Sequence, residues 1–101
     1  MYNAQLLYNR AVAHSRLGAA PDAVADCCAA LDLHPAYARA LLLRARLYTD
    51  AKELAEAVAD LERAAELDPA QPKVQHQLAA ARARLEAEGV DHYEALPPPS
   101  Y

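Results

Sequence analysis

The feature that most constrains this chain is an internal repeat of 34 residues. When the 101-residue sequence is shifted by 34 positions against itself, Pro35 falls on Pro69 without a gap. Many other identical pairs share this register, among them Leu7 and Leu41, Arg10 and Arg44, Ala11 and Ala45, Ala23 and Ala57, Asp26 and Asp60, and Leu33 and Leu67. A period of about 20–50 residues is typical of stacked units, in which each unit covers the apolar face of its neighbour.

Within each unit the sequence predicts two helices. Alanine occupies 26 positions and leucine 15, whereas Phe and Trp are absent, and both Ala and Leu are strong helix formers. Pro21 suits the first turn of a helix, while Pro35 and Pro69 end one, because proline lacks a backbone donor. We therefore expect helices over about 4–17, 21–33, 36–49, 53–67 and 71–88, the last one ending at Gly89.

The fold class that follows is all-α: an α-solenoid of two helix-turn-helix units with a C-terminal capping helix. Small residues that recur in both units are expected where the two helices of a unit cross, because larger side chains would push the helices apart. These residues are Ala11, Ala23, Ala45 and Ala57. Apolar faces are expected at Leu7, Ala11, His14 and Leu17 on the first helix and at Val74, Leu78, Ala81 and Leu85 on the closing helix.

Charge and cysteine content limit the possible partners and locations. Ten basic and fourteen acidic side chains give a net charge of -4, which disfavours a nucleic-acid partner, since such binding needs a basic face. No apolar run approaches the roughly 20 residues that span a bilayer, and the first residues do not have the pattern of a signal peptide. The adjacent Cys27 and Cys28 form no disulfide framework, so we expect a cytoplasmic location.

The 34-residue period, with Ala11, Ala23, Ala30 and Pro35 and their counterparts in the second unit, resembles the tetratricopeptide repeat (TPR). The resemblance covers residues 4–88. It implies a right-handed superhelix and a TPR domain over residues 1–88, with units of about 4–37 and 38–71 and a closing helix of about 71–88. Residues 89–101 are expected to form a proline-containing tail.

Further stretches narrow the resemblance to heat-shock co-chaperones. The first unit, with Leu7–Ala11 and Asp22–Cys27, and the second, with Tyr37–Ala45, are similar to consecutive TPRs of those proteins. After the closing helix, Asp91–Leu96 is similar to the start of a J domain, so the order of elements resembles that of TPR-containing DnaJ-like co-chaperones. The His-Pro-Asp motif of a J domain is replaced by His34-Pro35-Ala36, and no J-domain activity is expected.

In co-chaperone TPRs the first helix of each unit lines a groove that captures the carboxylates of a Glu-Glu-Val-Asp tail. The resemblance therefore implies the tails of 70-kDa or 90-kDa heat-shock chaperones as partners, held by donors at the second and sixth positions of each such helix. Along this chain those positions hold Gln5 and Asn9, Arg39 and Leu43, and Lys73 and Gln77.

The match to this carboxylate clamp is incomplete. Asn9 matches the groove asparagine of the family, and Arg39 replaces a lysine with its charge preserved, but Leu43 stands where an arginine is expected and offers no donor. A structural hydrogen bond for Asn9 and a solvated charge for Arg39 are the simpler alternatives. The candidate groove residues are Asn9, Arg39, Gln5 and Lys73.

Enzyme chemistry has no support in the sequence. The four histidines are scattered, and none pairs at metal-ligand spacing on one helix face, so no metal or other cofactor is expected. His14 and Cys27 are predicted to face each other across the first unit. This arrangement is interpreted as a packed contact, with a thiol site as the remote alternative.

The function we expect is that of a non-catalytic protein-interaction module: a co-chaperone-like adaptor that binds a peptide or protein in its concave groove. The alternative is a scaffold or oligomerisation module that uses the exposed ends of the solenoid. No predicted helix covers the face of the first helix around Leu6, Tyr8 and Val12. We therefore expect self-association through this uncapped helix, or marginal stability.

Overall fold

The computed structural model describes residues 3–94, with side chains described as far as Glu88, and this part of the chain contains five α-helices and no strand. The helices are α1 (Ala4–Arg16), α2 (Ala20–Leu33), α3 (Ala38–Asp50), α4 (Leu54–Leu67) and α5 (Pro72–Glu94). The prediction of an all-α solenoid is confirmed. None of these helices is long and apolar enough to cross a membrane.

The predicted end of the closing helix at Gly89 is wrong, because α5 continues through this residue to Glu94. Glycine lowers helix propensity by about 1 kcal/mol, but it keeps its backbone N–H and therefore does not interrupt the hydrogen bonding of a helix. The proline-containing end of the tail, residues 95–101, lies outside the described residues, and so does the end of the stretch that resembles a J-domain start.

The two units turn in the same way between their helices. In the first, Gly18 adopts a left-handed φ of 79°, and the N–H of Ala19 donates to the carbonyl of His14 at 2.8 Å. In the second, Lys52 takes the position of the glycine with φ 63°. The N–H of Glu53 donates to the carbonyl of Tyr48, the counterpart of His14, also at 2.8 Å. The turn geometry is therefore conserved between the units even though only one of them has a glycine.

Small side chains allow the two helices of each unit to pack closely, as predicted. Ala11, Ala23 and Ala57 are fully buried, and Ala45 is buried as well. Ala11 and Ala23 belong to one cluster that also contains Cys27. Helices α1 and α2 thus meet over alanines, which permit close approach of their backbones.

A larger cluster connects the units along the solenoid, from Leu7 through Leu41 to Leu78. On α5 the predicted residues Val74, Leu78 and Ala81 are buried, but Leu85 is exposed, because it lies beyond the end of this cluster. The other face of α5 carries Gln75 and Ala79, both exposed. Their counterparts in α1 and α3 are the buried residues Leu7, Ala11, Leu41 and Ala45. No described helix covers that face of α5, and its residues suit exposure, as expected of a capping helix.

The Arg and Asp residues that recur at the repeat period form matching ion pairs. Arg10 donates two hydrogen bonds to Asp26, at 2.9 and 2.6 Å, and Arg44 donates two to Asp60, at 2.8 and 2.7 Å. Both aspartates are buried. The hydrogen bonds and charge of Arg10 hold the pKa of Asp26 below its ordinary value, although burial opposes this shift. The recurrence of Arg10 and Arg44 at the repeat period thus corresponds to a shared ion pair between the helices of each unit.

The end of α1 differs from the prediction. The helix stops at Arg16, so Leu17 lies beyond it and is 82% exposed instead of lying on the apolar face. His14 is half-buried, with its Nε2 3.5 Å from an Oδ atom of Asp26. On the N-terminal face Leu6 is 50% exposed, whereas Tyr8 is half-buried and its ring centroid lies 5.4 Å from that of Tyr37.

Candidate binding groove

The candidate groove is the face of α1, α3 and α5 that points away from α2 and α4. Residues at the second, sixth, ninth and thirteenth positions of a helix share one face, because they are spaced by four, three and four residues. The buried fourth and eighth positions, Leu7 and Ala11 in α1, lie on the opposite face. We call the following residues the groove stripe: Gln5, Asn9, Val12 and Arg16 on α1; Arg39, Leu43, Arg46 and Asp50 on α3; and Lys73, Gln77, Ala80 and Arg84 on α5.

All four sequence-predicted site residues, Gln5, Asn9, Arg39 and Lys73, are exposed in the groove stripe. Within the described part of the chain none of them makes a side-chain hydrogen bond or an ion pair, with one another or with other residues. They therefore lie on the same side of the solenoid but are not connected to one another by hydrogen bonds or ion pairs. Leu43, the departure from the family clamp, is half-buried and packs against the cluster of Ala11, Ala23, Cys27 and Leu47.

Charge is divided between the two sides of the solenoid. The groove stripe has five basic residues and one acid, a formal charge of +4, although the whole chain has a net charge of -4. Helices α2 and α4 carry one basic residue, Arg63, and seven acids: Asp22, Asp26, Asp32, Glu56, Asp60, Glu62 and Glu66. The groove is thus the electropositive side of an acidic molecule, a distribution that attracts negatively charged ligands.

The basic residues of the groove stripe form no ion pair with the side chains that the structure describes. Among side chains described between residues 3 and 88, the ion pairs of Arg and Lys involve Arg10, Arg44 and Arg82, which face acids of α2 or α4. None involves Arg39, Arg46, Lys73 or Arg84, so these groups remain able to donate to a ligand.

A cavity of about 230 Å³ opens between α3 and α5. Its apolar wall consists of Leu42, Ala45, Leu61, Ala80 and Ala81, and Arg46, Arg84 and Gln77 supply the polar groups that can reach a ligand. The remaining polar lining group, the Thr49 hydroxyl, donates to the carbonyl of Ala45 at 2.8 Å. This cavity was not predicted from the sequence. The signal that could have found it is the replacement of large side chains by Gln77 and Ala81 when α5 is aligned with α3.

Cys27, the thiol predicted to face His14, is not activated. Cys27 is fully buried, and this burial raises the pKa of its thiol to about 12. The recorded contact of His14 is with Asp26, not with Cys27. No group of three or more His, Cys, Asp or Glu residues that could hold a metal ion occurs among the described residues.

The family model for the tetratricopeptide repeat matches residues 38–71 of this chain. This range coincides with the second 34-residue unit, α3, α4 and the turn that follows them.

Curated relatives with similarity over most of the chain include DnaJ homolog subfamily C member 7 from two organisms. The mouse protein is 33% identical over 97 residues, which cover 93% of this chain and 19% of the relative. The homologue from Dictyostelium discoideum is 33% identical over 95 residues, 93% of this chain and 18% of the relative. This chain thus spans about a fifth of the length of these relatives.

Solved structures with the same fold include two TPR domains of RPAP3. The first TPR of Spaghetti (RPAP3), bound to the HSP90 peptide SRMEEVD, has a TM-score of 0.79 and 33% identity, covering 84% of this chain and 68% of that one. The second TPR domain of human RPAP3, in complex with the HSP70 peptide SGPTIEEVD, has a TM-score of 0.72 and 30% identity, covering 79% of this chain and 67% of that one.

Proposed function

Since the chain belongs to the tetratricopeptide repeat family, we propose that it is a cytoplasmic, non-catalytic chaperone adaptor that binds an acidic C-terminal peptide in its groove. The TPR fold is a protein-interaction module, and the proposal concerns which ligand this groove binds. The observation that carries the proposal is the charge of +4 on the groove stripe of a chain whose net charge is -4.

The exposed cations of the groove stripe suit a ligand with several carboxylates. An acidic peptide gains charge-assisted hydrogen bonds from Arg39 and Lys73 and a neutral donor from the amide of Asn9. The acids of α2 and α4 lie on the other side of the solenoid, so they repel such a ligand least when it approaches the groove. The peptides in the two RPAP3 structures have the matching chemistry, because both end in Glu-Glu-Val-Asp.

The test is a fluorescence-anisotropy titration with labelled SRMEEVD at low and at moderate salt. We expect micromolar binding that weakens as salt is added, since exposed charge pairs are screened. Arg39→Ala should weaken binding, whereas the matched control Arg63→Ala, which removes the same charge from α4, should not. Binding that is absent at millimolar protein, or equal loss in both variants, would contradict the proposal.

A second candidate function, a scaffold that self-associates through the start of the solenoid, is favoured by one observation. Leu6 on α1 is half-exposed, whereas its counterparts at the same repeat position, Ala40 and Val74, are buried against the preceding helix. This face of α1 is therefore built like one that packs on a neighbour. Analytical ultracentrifugation tests this function: the scaffold role requires a concentration-dependent dimer that Leu6→Gln weakens.

A further inference from the structure

The position equivalent to the cavity between α3 and α5 lies one repeat earlier, between α1 and α3, and it is filled by side chains. At that earlier position Leu43 and Leu47 pack against Ala11, Ala23 and Cys27. In α5 the equivalent residues are Gln77 and Ala81. Because alanine is shorter than leucine, and Gln77 is exposed where Leu43 is half-buried, the later position stays open and forms the cavity of about 230 Å³.

The open cavity is also more basic than the equivalent position between α1 and α3. Arg84 lines the open cavity, and its counterpart in α3 is Asp50. Arg46, on the opposite wall, has Val12 as its counterpart in α1. Neither arginine forms an ion pair with any side chain described between residues 3 and 88, and no acid lines the cavity. The open position thus combines an apolar wall with two available guanidinium groups.

We propose that this cavity binds one aliphatic side chain of an acidic peptide while Arg46 and Arg84 pair with a carboxylate next to that side chain. The volume is below the range of about 300–1,000 Å³ that is usual for small-molecule and cofactor sites, so a single side chain is the fitting occupant. The two arginines select for a neighbouring acid, because their charges have no ion-pair partner among the side chains described between residues 3 and 88. This inference rests on the proposed function and names the specificity pocket of the groove.

The position of the cavity along the groove indicates which part of the peptide it receives. Arg39 and Arg46 are separated by seven residues of α3, which is about 10 Å along a helix axis. An extended peptide advances about 3.3 Å per residue. A peptide whose terminal carboxylate lies at Arg39 therefore brings a residue about three or four positions before its end to the cavity. In SRMEEVD this range holds the methionine and the adjacent glutamate.

Two variants test the proposal by anisotropy with labelled SRMEEVD. Ala81→Leu copies Leu47 and fills the cavity, and Arg84→Asp copies Asp50 at its rim. Each should weaken binding about tenfold, the effect of losing one buried apolar contact or one charge-assisted contact. The matched controls are Ala79→Leu, which adds the same side chain on the exposed face of α5, and Arg63→Asp, which makes the same charge change on α4. Both controls should bind within about twofold of the unchanged chain.

A second probe separates failure of this pocket from failure of the proposed function. Acetyl-Met-Glu, titrated into ¹⁵N-labelled protein, should shift the amide resonances of Ala80 and Ala81, and Ala81→Leu should abolish these shifts. If the heptapeptide does not bind but these shifts occur, the pocket stands and the proposed function fails. If the heptapeptide binds equally to the unchanged chain, Ala81→Leu and Arg84→Asp, or if the dipeptide leaves Ala80 and Ala81 unshifted, the pocket is overturned.

Discussion

The ion pair between Arg44 and Asp60 should make a large contribution to stability, and replacing Arg44 with Met should reveal it. The substitution keeps an unbranched side chain but leaves a buried carboxylate, only 5% exposed, without its two hydrogen bonds of 2.7 and 2.8 Å. Removing one partner of a fully buried pair costs about 3–5 kcal/mol. Because the side chain of Arg44 is 21% exposed, we expect a loss near the lower limit, about 3 kcal/mol.

The matching pair in the first unit gives an internal comparison. The side chain of Arg10 is 43% exposed, twice as much as that of Arg44, while the two aspartates are buried equally. Water can therefore reach Asp26 more easily once the arginine is gone, and Arg10→Met should cost about 1–2 kcal/mol. For a domain of this size, a loss of about 3 kcal/mol lowers the melting temperature by more than about 10 °C.

Thermal and urea unfolding followed by circular dichroism measure these losses, with Arg63→Met as the control for replacing an exposed arginine. The double variant Arg44→Met with Asp60→Asn identifies the cause. If the buried charge is responsible, removing it should recover about half of the loss or more. The reasoning is refuted if Asp60→Asn recovers nothing, because the loss would then come from packing, or if Arg10→Met costs more than Arg44→Met.

Three further predictions concern single positions. The pKa of Asp26 is lowered from its ordinary value of 3.8, so its carboxylate should stabilise the fold above that value and lose this effect as pH falls through the folded-state pKa. The free energy of unfolding in urea should therefore exceed that of Asp26→Asn at neutral pH, and the difference should shrink at acid pH. Both turn residues have a left-handed φ, so Lys52→Gly should stabilise the fold by about 0.5–1 kcal/mol and Gly18→Ala should destabilise it by about 1 kcal/mol. Melting temperatures that shift in the same direction for both variants would contradict this. Cys27 should react with iodoacetamide far more slowly than Cys28, because it is fully buried with a pKa of about 12; equal rates in mass spectrometry would contradict this.

The fold was predictable from the sequence because the repeat ties each local pattern to a second copy of itself. A single amphipathic stretch such as 71–88 does not identify the helix on which it packs, but a 34-residue period requires that each unit pack on the next. The ion pairs repeat with the same period, since an Arg and an Asp that recur together, 16 residues apart, lie on facing helices in both units. The ends of helices were less predictable: neither the continuation of α5 through Gly89 nor the left-handed Lys52 has a local sequence signal.

The candidate site was less predictable than the fold, because binding depends on where the two units differ. Residues that recur, such as the alanines at the crossings and the Arg–Asp pairs, are needed wherever two helices meet, so they define the architecture and carry no information about a ligand. Leu43 and Gln77, Leu47 and Ala81, and Asp50 and Arg84 break the repeat at equivalent positions. The first member of each pair belongs to the closed, partly acidic junction of α1 and α3, and the second to the open, basic junction of α3 and α5. These side-chain differences distinguish a packed contact at one junction from a pocket at the other, and recognition is expected where repetition fails.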